Sequence, residues 1–177
     1  MSEESKTSTK RAAARPAGRR DGRVARSASR LGAVQALYQL EITGADWREV
    51  VQEFVQHRLG QEVEGEQYHK ADIPHFRRTI EFAVLNQASI DQLTDRALVK
   101  SWPLGRLDPI LRALFRAAAA EMTGRPEIPA RVVIGEYMDV ARAFFTEKRE
   151  LGFVNAVLDQ VMREARPDAL SDPRSRG

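Results

Sequence analysis

The sequence predicts an all-helical protein, and three observations support this prediction. Apolar residues recur at three- and four-residue spacing in several separate segments. Residues typical of helix starts and ends, such as Asp-Pro and glycine, lie between these segments. The sequence has no alternating apolar and polar run flanked by hairpin turns. We therefore expect a compact bundle of about six to seven helices in two packed halves, with a disordered basic N-terminal arm.

The distribution of charge is uneven along the 177 residues. Residues 1–30 contain nine Lys and Arg against three Asp and Glu, whereas the remainder has an excess of three acidic residues. A cationic end on a mildly acidic body indicates polyanion binding at that end, and a solubilising tail is the alternative. We predict a disordered arm at 1–22, a helical domain at 23–166 and a polar tail at 167–177.

The first helix joins the basic arm to the core. Arg23, Arg26 and Arg30 are three to four residues apart, so they share one side of the helix entrance. Ser27 and Ser29 are both suitable N-caps, and the sequence does not choose between them. An apolar stripe follows the arginines at helical spacing: Leu31, Val34, Leu37, Tyr38 and Ile42.

The next segments predict a helical hairpin and a long third helix. The first helix ends near Gly44, and a capping box at 46–49 starts a second helix that Gly60 ends. A solvated acidic loop runs from Gly60 to Asp72. Apolar residues at seven-residue spacing then predict one helix from about Pro74 to Leu98, with a break near 88–89 as the alternative.

The second half of the chain predicts three more helices after a turn at 102–105. Asp108 followed by proline is typical of a helix start, and this central helix ends at Gly124. Apolar residues at 133–145 and 153–162 predict the fifth and sixth helices, separated by a charged loop. Four consecutive alanines in the central helix allow another helix to approach closely.

Catalytic and cofactor motifs are missing from the sequence. It has no glycine-rich phosphate loop, no cysteine, and no ligand spacing among His57, His69 and His75. We therefore expect neither an enzyme nor a cofactor or metal site. The sequence also lacks a transmembrane-length apolar run and a signal peptide, so we expect a cytoplasmic protein that does not bind membranes.

Three further residues have two interpretations each. Tyr38 and Phe153 are each either core aromatics or contacts to RNA bases or a protein. Asn155 is flanked by apolar residues, which favours a buried amide bonded to a loop carbonyl over a ligand contact.

Four motifs resemble the NusB family of transcription antitermination factors over about residues 26–163. They are AVQALYQ at 33–39, LDPILR at 107–112, IGEY at 134–137 and FVNAVLD at 153–159. The resemblance implies a non-enzymatic helical bundle that binds single-stranded boxA RNA jointly with NusE, a small-subunit ribosomal protein. It further implies a place in the RNA polymerase antitermination complex that transcribes ribosomal RNA operons.

The resemblance also implies roles for individual residues. It places Arg23, Arg26, Arg30, Tyr38 and Phe153 at RNA-binding positions, and Tyr38 and Asp108 at partner-binding positions. The sequence departs from the family pattern at Gly135, where the family usually has Asn. The competing hypothesis is a helical protein–protein interaction module with a nonspecific cationic tail. The oligomeric state stays open, because such a bundle can also form a homodimer that covers its RNA-binding face.

Overall fold

Seven α-helices form the part of the chain that the computed structural model describes, residues 17–60 and 70–170, and this part contains no strand. Predictions for 1–16, 61–69 and 171–177 lie outside the described residues. The helices are α1 Ala17–Thr43, α2 Trp47–His57, α3 Ile73–Leu85, α4 Gln87–Ala97, α5 Pro109–Gly124, α6 Ala130–Arg142 and α7 Lys148–Ala165, with a 3-10 turn at Leu104–Arg106. The all-helical prediction is confirmed.

Helix α5 is the central helix, as predicted from its apolar and alanine-rich sequence. It packs against α1, α3, α4, α6 and α7. All four alanines at 117–120 are buried, so neighbouring helices approach its backbone closely. The Tyr137 hydroxyl from α6 donates a hydrogen bond to the Ala117 carbonyl at 3.1 Å. Burial of α5 on several sides therefore makes it the helix on which these five helices pack.

Several predicted helix boundaries are confirmed. Asp46 and Asp108 are N-caps, as predicted, and Asp72 is a further N-cap that was not predicted; each carboxylate accepts a hydrogen bond from a first-turn amide. Gly44 has φ of +65°, the left-handed conformation that ends α1 and that residues with a side chain rarely adopt.

Helix α1 begins earlier than predicted, at Ala17 rather than near residue 23. Residues 17–22, which we assigned to the arm, are therefore helical. Ser27 and Ser29 lie inside α1 and cap nothing. The Ser29 hydroxyl instead donates to the Ala25 carbonyl at 2.9 Å and to the Asp72 carbonyl at 2.7 Å, tying α1 to the start of α3.

The segment predicted as one long third helix is two helices, α3 and α4, so the main prediction was wrong. The alternative, a break near 88–89, placed the break two residues too late. The break is at Asn86, whose side-chain amide donates to the Phe82 carbonyl at 3.0 Å. The charged loop before the last helix is also partly helical, since α7 begins at Lys148. Helix α6 ends at Arg142, so Phe144 and Phe145 lie in the following turn.

Two arginines of α5 tie three helices together. Arg116 makes a bidentate pair with Asp91 of α4, with both N–O distances 2.8 Å, and also bonds Glu41 of α1 at 2.8 Å. Arg112 binds the same Glu41 carboxylate, 2.8 Å from its Nε. Burial raises the pKa of Glu41, but the two arginines outweigh it and lower that pKa.

Arg166 closes the C-terminal end of α5. Its guanidinium donates to the carbonyls of Met122, Arg125 and Ile128 at 2.5, 2.8 and 2.6 Å, and to that of Glu121 at 3.3 Å. The carbonyls at the end of a helix lack intrahelical partners, and a cation also interacts favourably with the helix dipole there.

Candidate nucleic-acid interface

The N-terminal half of α1 presents two of the three predicted arginines to solvent. Arg23 and Arg26 are exposed, and the side chain of Arg23 has a relative exposure of 69%. The Nε of Arg23 lies 3.2 Å from the Glu136 carboxylate of α6. Ser27 donates a short hydrogen bond to the same carboxylate. Glu136 therefore orients the segment of α1 that carries both exposed arginines.

Arg30 has a different environment from the one expected. Its side chain is only 2% exposed, and its guanidinium pairs with Glu121 at 2.5 Å and with Glu136 at 3.2 Å. All of its charge is thus directed at two carboxylates inside the protein. Arg30 is not available to a ligand in this structure, which corrects its expected role as an RNA contact.

His75 of α3 completes this buried ionic cluster. Its Nε2 lies 3.3 Å from Glu121, and its Nδ1 lies 3.4 Å from the guanidinium of Arg125. Because a guanidinium can only donate, Nδ1 is the acceptor and Nε2 carries the proton that faces Glu121. Burial raises the pKa of Glu121, but the neighbouring His75 and Arg30 outweigh burial and lower it to about 2.

A large open groove of about 1260 Å³ lies beside this cluster. Its walls come from the N-terminal part of α1, the exposed faces of α6 and α7, and the loop before α6. Arg23, Arg26 and Arg30 line it from α1, and Arg125, Arg131, Arg142 and Arg163 line it from the other segments. Four carboxylates also line the groove, so arginine is in excess and the groove is cationic.

Most of these arginines are already paired with carboxylates. Arg125 pairs with Glu127, Arg142 with Asp139 and Arg163 with Asp159, at 2.5 to 2.8 Å. Arg26 and Arg131 pair with no carboxylate within the described ranges. Their charge is free to attract an anion, and these two side chains line the groove from two different helices, α1 and α6.

The aromatic and acidic site candidates lie outside the groove lining. Tyr38 is 39% exposed on α1, in the C-terminal half of that helix. Phe153 is half-buried and packs between Trp102 and Phe115, with ring centroids 5.8 and 6.2 Å away. Asp108 is exposed and caps α5 through the Ile110 amide at 2.9 Å. The structure therefore separates the predicted site residues into an arginine groove and a second surface.

Asn155 and Arg131 are groove residues that sequence reasoning missed. Asn155 was expected to be buried, but it is exposed and lines the groove. It lies two residues from Phe153, which on a helix places the two side chains on nearly opposite faces. That spacing could have identified Asn155, whereas Arg131 has no distinguishing signal because it lies far along the chain from the other arginines.

Residues 17–60 and 70–170 contain neither a metal-binding cluster nor a membrane-spanning helix. No group of three or more His, Asp or Glu side chains there could hold a metal ion. No helix in these ranges has the length and apolar composition needed to cross a membrane. His69 lies outside the described residues.

The fold and the groove define an all-helical protein with a cationic groove between its first helix and its last two. The NusB family model matches residues 27–163. A transcription antitermination protein NusB from Rhodopseudomonas palustris (strain HaA2) is 54% identical over 143 residues, covering 81% of this chain and 84% of that protein. The chain belongs to the NusB family. This is a family of transcription antitermination factors and not of enzymes.

Solved structures agree with this assignment. NusB from T. maritima is 30% identical with a TM-score of 0.67, over 83% of this chain and 97% of that one. A chain from a crystal structure of antitermination factors NusB and NusE in complex with dsRNA has a TM-score of 0.65 over 80% of this chain and 97% of that one. Because that chain is only 20% identical, it supports the fold alone.

Proposed function

We propose that this protein is an RNA-binding transcription antitermination factor that recognises the boxA element of ribosomal RNA transcripts together with NusE. It would act within the RNA polymerase antitermination complex and promote processive transcription of ribosomal RNA. The observation that carries the proposal is the groove of about 1260 Å³ with exposed arginines from α1 on its wall. The family membership, and a fold neighbour titled as NusB and NusE with dsRNA, support the same function.

Arg23 and Arg26 are the proposed RNA contacts of α1. Both are exposed, and each can exchange solvent for a phosphate oxygen with release of condensed counterions. Arg30 has a supporting role, since it holds Glu121 and Glu136, and Glu136 in turn orients Arg23. The buried cluster thus fixes the position of the exposed arginines relative to α6.

The second surface is the proposed binding site for NusE. Tyr38 and Ile42 are one helical turn apart, and they are 39% and 57% exposed. The neighbouring Glu41 is held by Arg112, which brings the C-terminal half of α1 to the start of α5, where Asp108 is exposed. Phe153 is proposed to contact RNA or partner through its remaining exposed edge.

Joint recognition has a physical reason. For single-stranded RNA, the logarithm of the affinity falls by about 0.7 per phosphate contact for each tenfold rise in salt. Roughly four contacts would therefore lose about fiftyfold in affinity between 50 and 200 mM salt. A protein partner that adds its own RNA contacts compensates for that loss.

The test is fluorescence anisotropy of a labelled boxA oligonucleotide and a scrambled one, with and without NusE, at two salt concentrations. We expect boxA to bind more tightly, NusE to strengthen this preference, and Arg23→Ala with Arg26→Ala to weaken binding. Arg77→Ala is the matched control, because Arg77 is exposed on α3 and does not line the groove. Equal, weak binding of both oligonucleotides with or without NusE would favour a protein interaction module with a nonspecific cationic tail.

A further inference from the structure

A second wall of the groove is built from regularly spaced residues of α6 and α7. On α6, Arg131, Gly135 and Asp139 are four residues apart, and Arg142 follows on the same face. On α7, a second line at four-residue spacing consists of Asn155, Asp159 and Arg163. Four-residue spacing places side chains in a row along one helix face. Two rows of polar side chains therefore run along the groove.

Each arginine of these rows can contact a bound anion with little loss of free energy, because none of them is held in a buried ion pair. Arg131 has no carboxylate partner within the part of the chain described here. Arg142 and Arg163 each pair with an aspartate of the same helix, and their side chains are 57% and 59% exposed. Such exposed pairs contribute little to stability, so a phosphate oxygen can replace the aspartate.

Asn155 differs from these arginines because its amide both donates and accepts hydrogen bonds. It is exposed, and among the described residues it has no hydrogen-bond partner. An arginine contact to a phosphate is independent of base identity, whereas an amide can distinguish base edges of single-stranded RNA by its donor and acceptor pattern. Asn155 therefore has the chemistry needed for sequence discrimination.

We propose that the α6–α7 wall is a second RNA-binding track, in which Arg131 contacts a phosphate and Asn155 reads a base edge. This inference rests on the proposed function and assigns Arg131 and Asn155 to RNA contact, a role that neither residue had in the sequence analysis. Gly135 contributes by its lack of a side chain: a Cβ there would meet nothing within 4 Å, so the middle of the α6 face is open to the groove. An RNA strand held at this wall lies between two sets of arginines, those of α1 and those of α6 and α7.

The experiment compares the full-length wild type with Arg131→Ala, Asn155→Ala and the control Arg77→Ala, using the labelled boxA and scrambled oligonucleotides. Arg131→Ala should weaken the binding of both RNAs by about tenfold, because one charge-assisted contact is lost. The slope of log affinity against log salt concentration should decrease in magnitude by about 0.7. Asn155→Ala should reduce the preference for boxA over the scrambled RNA while leaving the salt slope unchanged. Equal melting temperatures of the four proteins confirm that each variant is folded.

Two results separate this inference from the proposed function. Should wild type prefer boxA while Arg131→Ala and Asn155→Ala match Arg77→Ala, the second track is refuted and the proposed function stands. Should wild type bind both RNAs equally, boxA recognition fails together with the role of Asn155. The phosphate track is then still tested, because Arg131→Ala must weaken nonspecific binding or the track is also refuted.

Discussion

Arg26 and Arg30 are one helical turn apart on α1, yet their side chains have opposite surroundings. Arg26 is exposed, whereas Arg30 is 2% exposed and paired with two buried carboxylates. Removing one member of a buried ion pair leaves an uncompensated charge in the core. We expect Arg30→Ala to lower the free energy of unfolding by about 3–5 kcal/mol, and Arg26→Ala to change it by less than about 0.5 kcal/mol. Urea denaturation of both variants measures the difference.

The same pair of variants separates a structural role from a direct RNA contact. RNA binding measured well below the unfolding transition should fall in Arg26→Ala, although its stability is that of the wild type. An Arg30→Ala protein with wild-type stability and lost RNA affinity would contradict the structural role of Arg30.

Glu121 makes the free energy of unfolding depend on pH in the acidic range. Its pKa is lowered to about 2 in the folded state, so its contribution is complete above the pKa of about 4.5 in the unfolded chain. That contribution, about 3 kcal/mol, is lost as the pH falls through this range towards 2. Urea denaturation from pH 6 to pH 2 should therefore show a smaller loss of stability in Glu121→Gln than in wild type.

The control for this pH dependence is Glu81→Gln. Glu81 is exposed on α3 and has no ion-pair partner among the described residues, so its variant should follow the wild-type curve. At pH 7, Glu121→Gln should also be less stable than wild type, because Arg30 then keeps only Glu136 as a charged partner. Parallel curves for wild type and Glu121→Gln would show that the cluster does not hold Glu121 ionised.

The spacing of Arg23, Arg26 and Arg30 in the sequence predicted which side of α1 they share, but it did not predict how far each side chain is buried. The three arginines do share one side of α1, and all three line one groove. Arg30 is nevertheless buried, because Glu121 and Glu136, which lie 91 and 106 residues further along the chain, fold over it. Asn155 was misplaced for the converse reason: Val154 and Val157 on either side of it are buried, while Asn155 itself is exposed. Burial depends on tertiary contacts that local spacing does not contain.

At the level of the helices, the start of α5 has two roles that one substitution can separate. Asp108 caps α5, and it is also a proposed contact to NusE. Asp108→Ala should cost about 1 kcal/mol of stability, whereas Asp108→Asn should cost much less because asparagine is an equally good N-cap. If NusE contacts the charge, both variants weaken NusE binding, as measured by calorimetry. If only the destabilised variant Asp108→Ala binds NusE more weakly and Asp108→Asn binds it normally, Asp108 acts only as an N-cap.

Helix starts were predictable where a short polar residue precedes a proline or a turn, as at Asp108. The break at Asn86 was not, because the apolar pattern continues across it. Phe76, Ala83 and Ile90 are all buried, and both α3 and α4 pack on α5. A one-residue interruption that keeps both faces towards the core leaves the seven-residue spacing intact, so periodicity alone predicts one helix.

Across the whole molecule, α5 explains why the sequence was sufficient to predict the fold class. Five of the other six helices pack on α5, so most amphipathic helices bury their apolar stripe against it. The two surfaces proposed for RNA and NusE could not be separated from the sequence. Both surfaces take residues from α1 and α7, and only the packed arrangement assigns Arg26 to the groove and Tyr38 to the other surface.

The guanidinium of Arg166 is part of the folded unit although it lies outside the residues matched by the family model. The family model matches residues 27–163, but the side chain that satisfies four carbonyls around the end of α5 lies three residues beyond that match. Arg166→Ala should therefore cost about 1–3 kcal/mol in urea denaturation, whereas the control Arg163→Ala, with a 59% exposed side chain, should cost little. Equal stabilities would contradict this. The residues matched by the family model thus leave out a contact that the fold uses: a chain trimmed to residues 27–163 would lose the cation at the C-terminal end of its central helix.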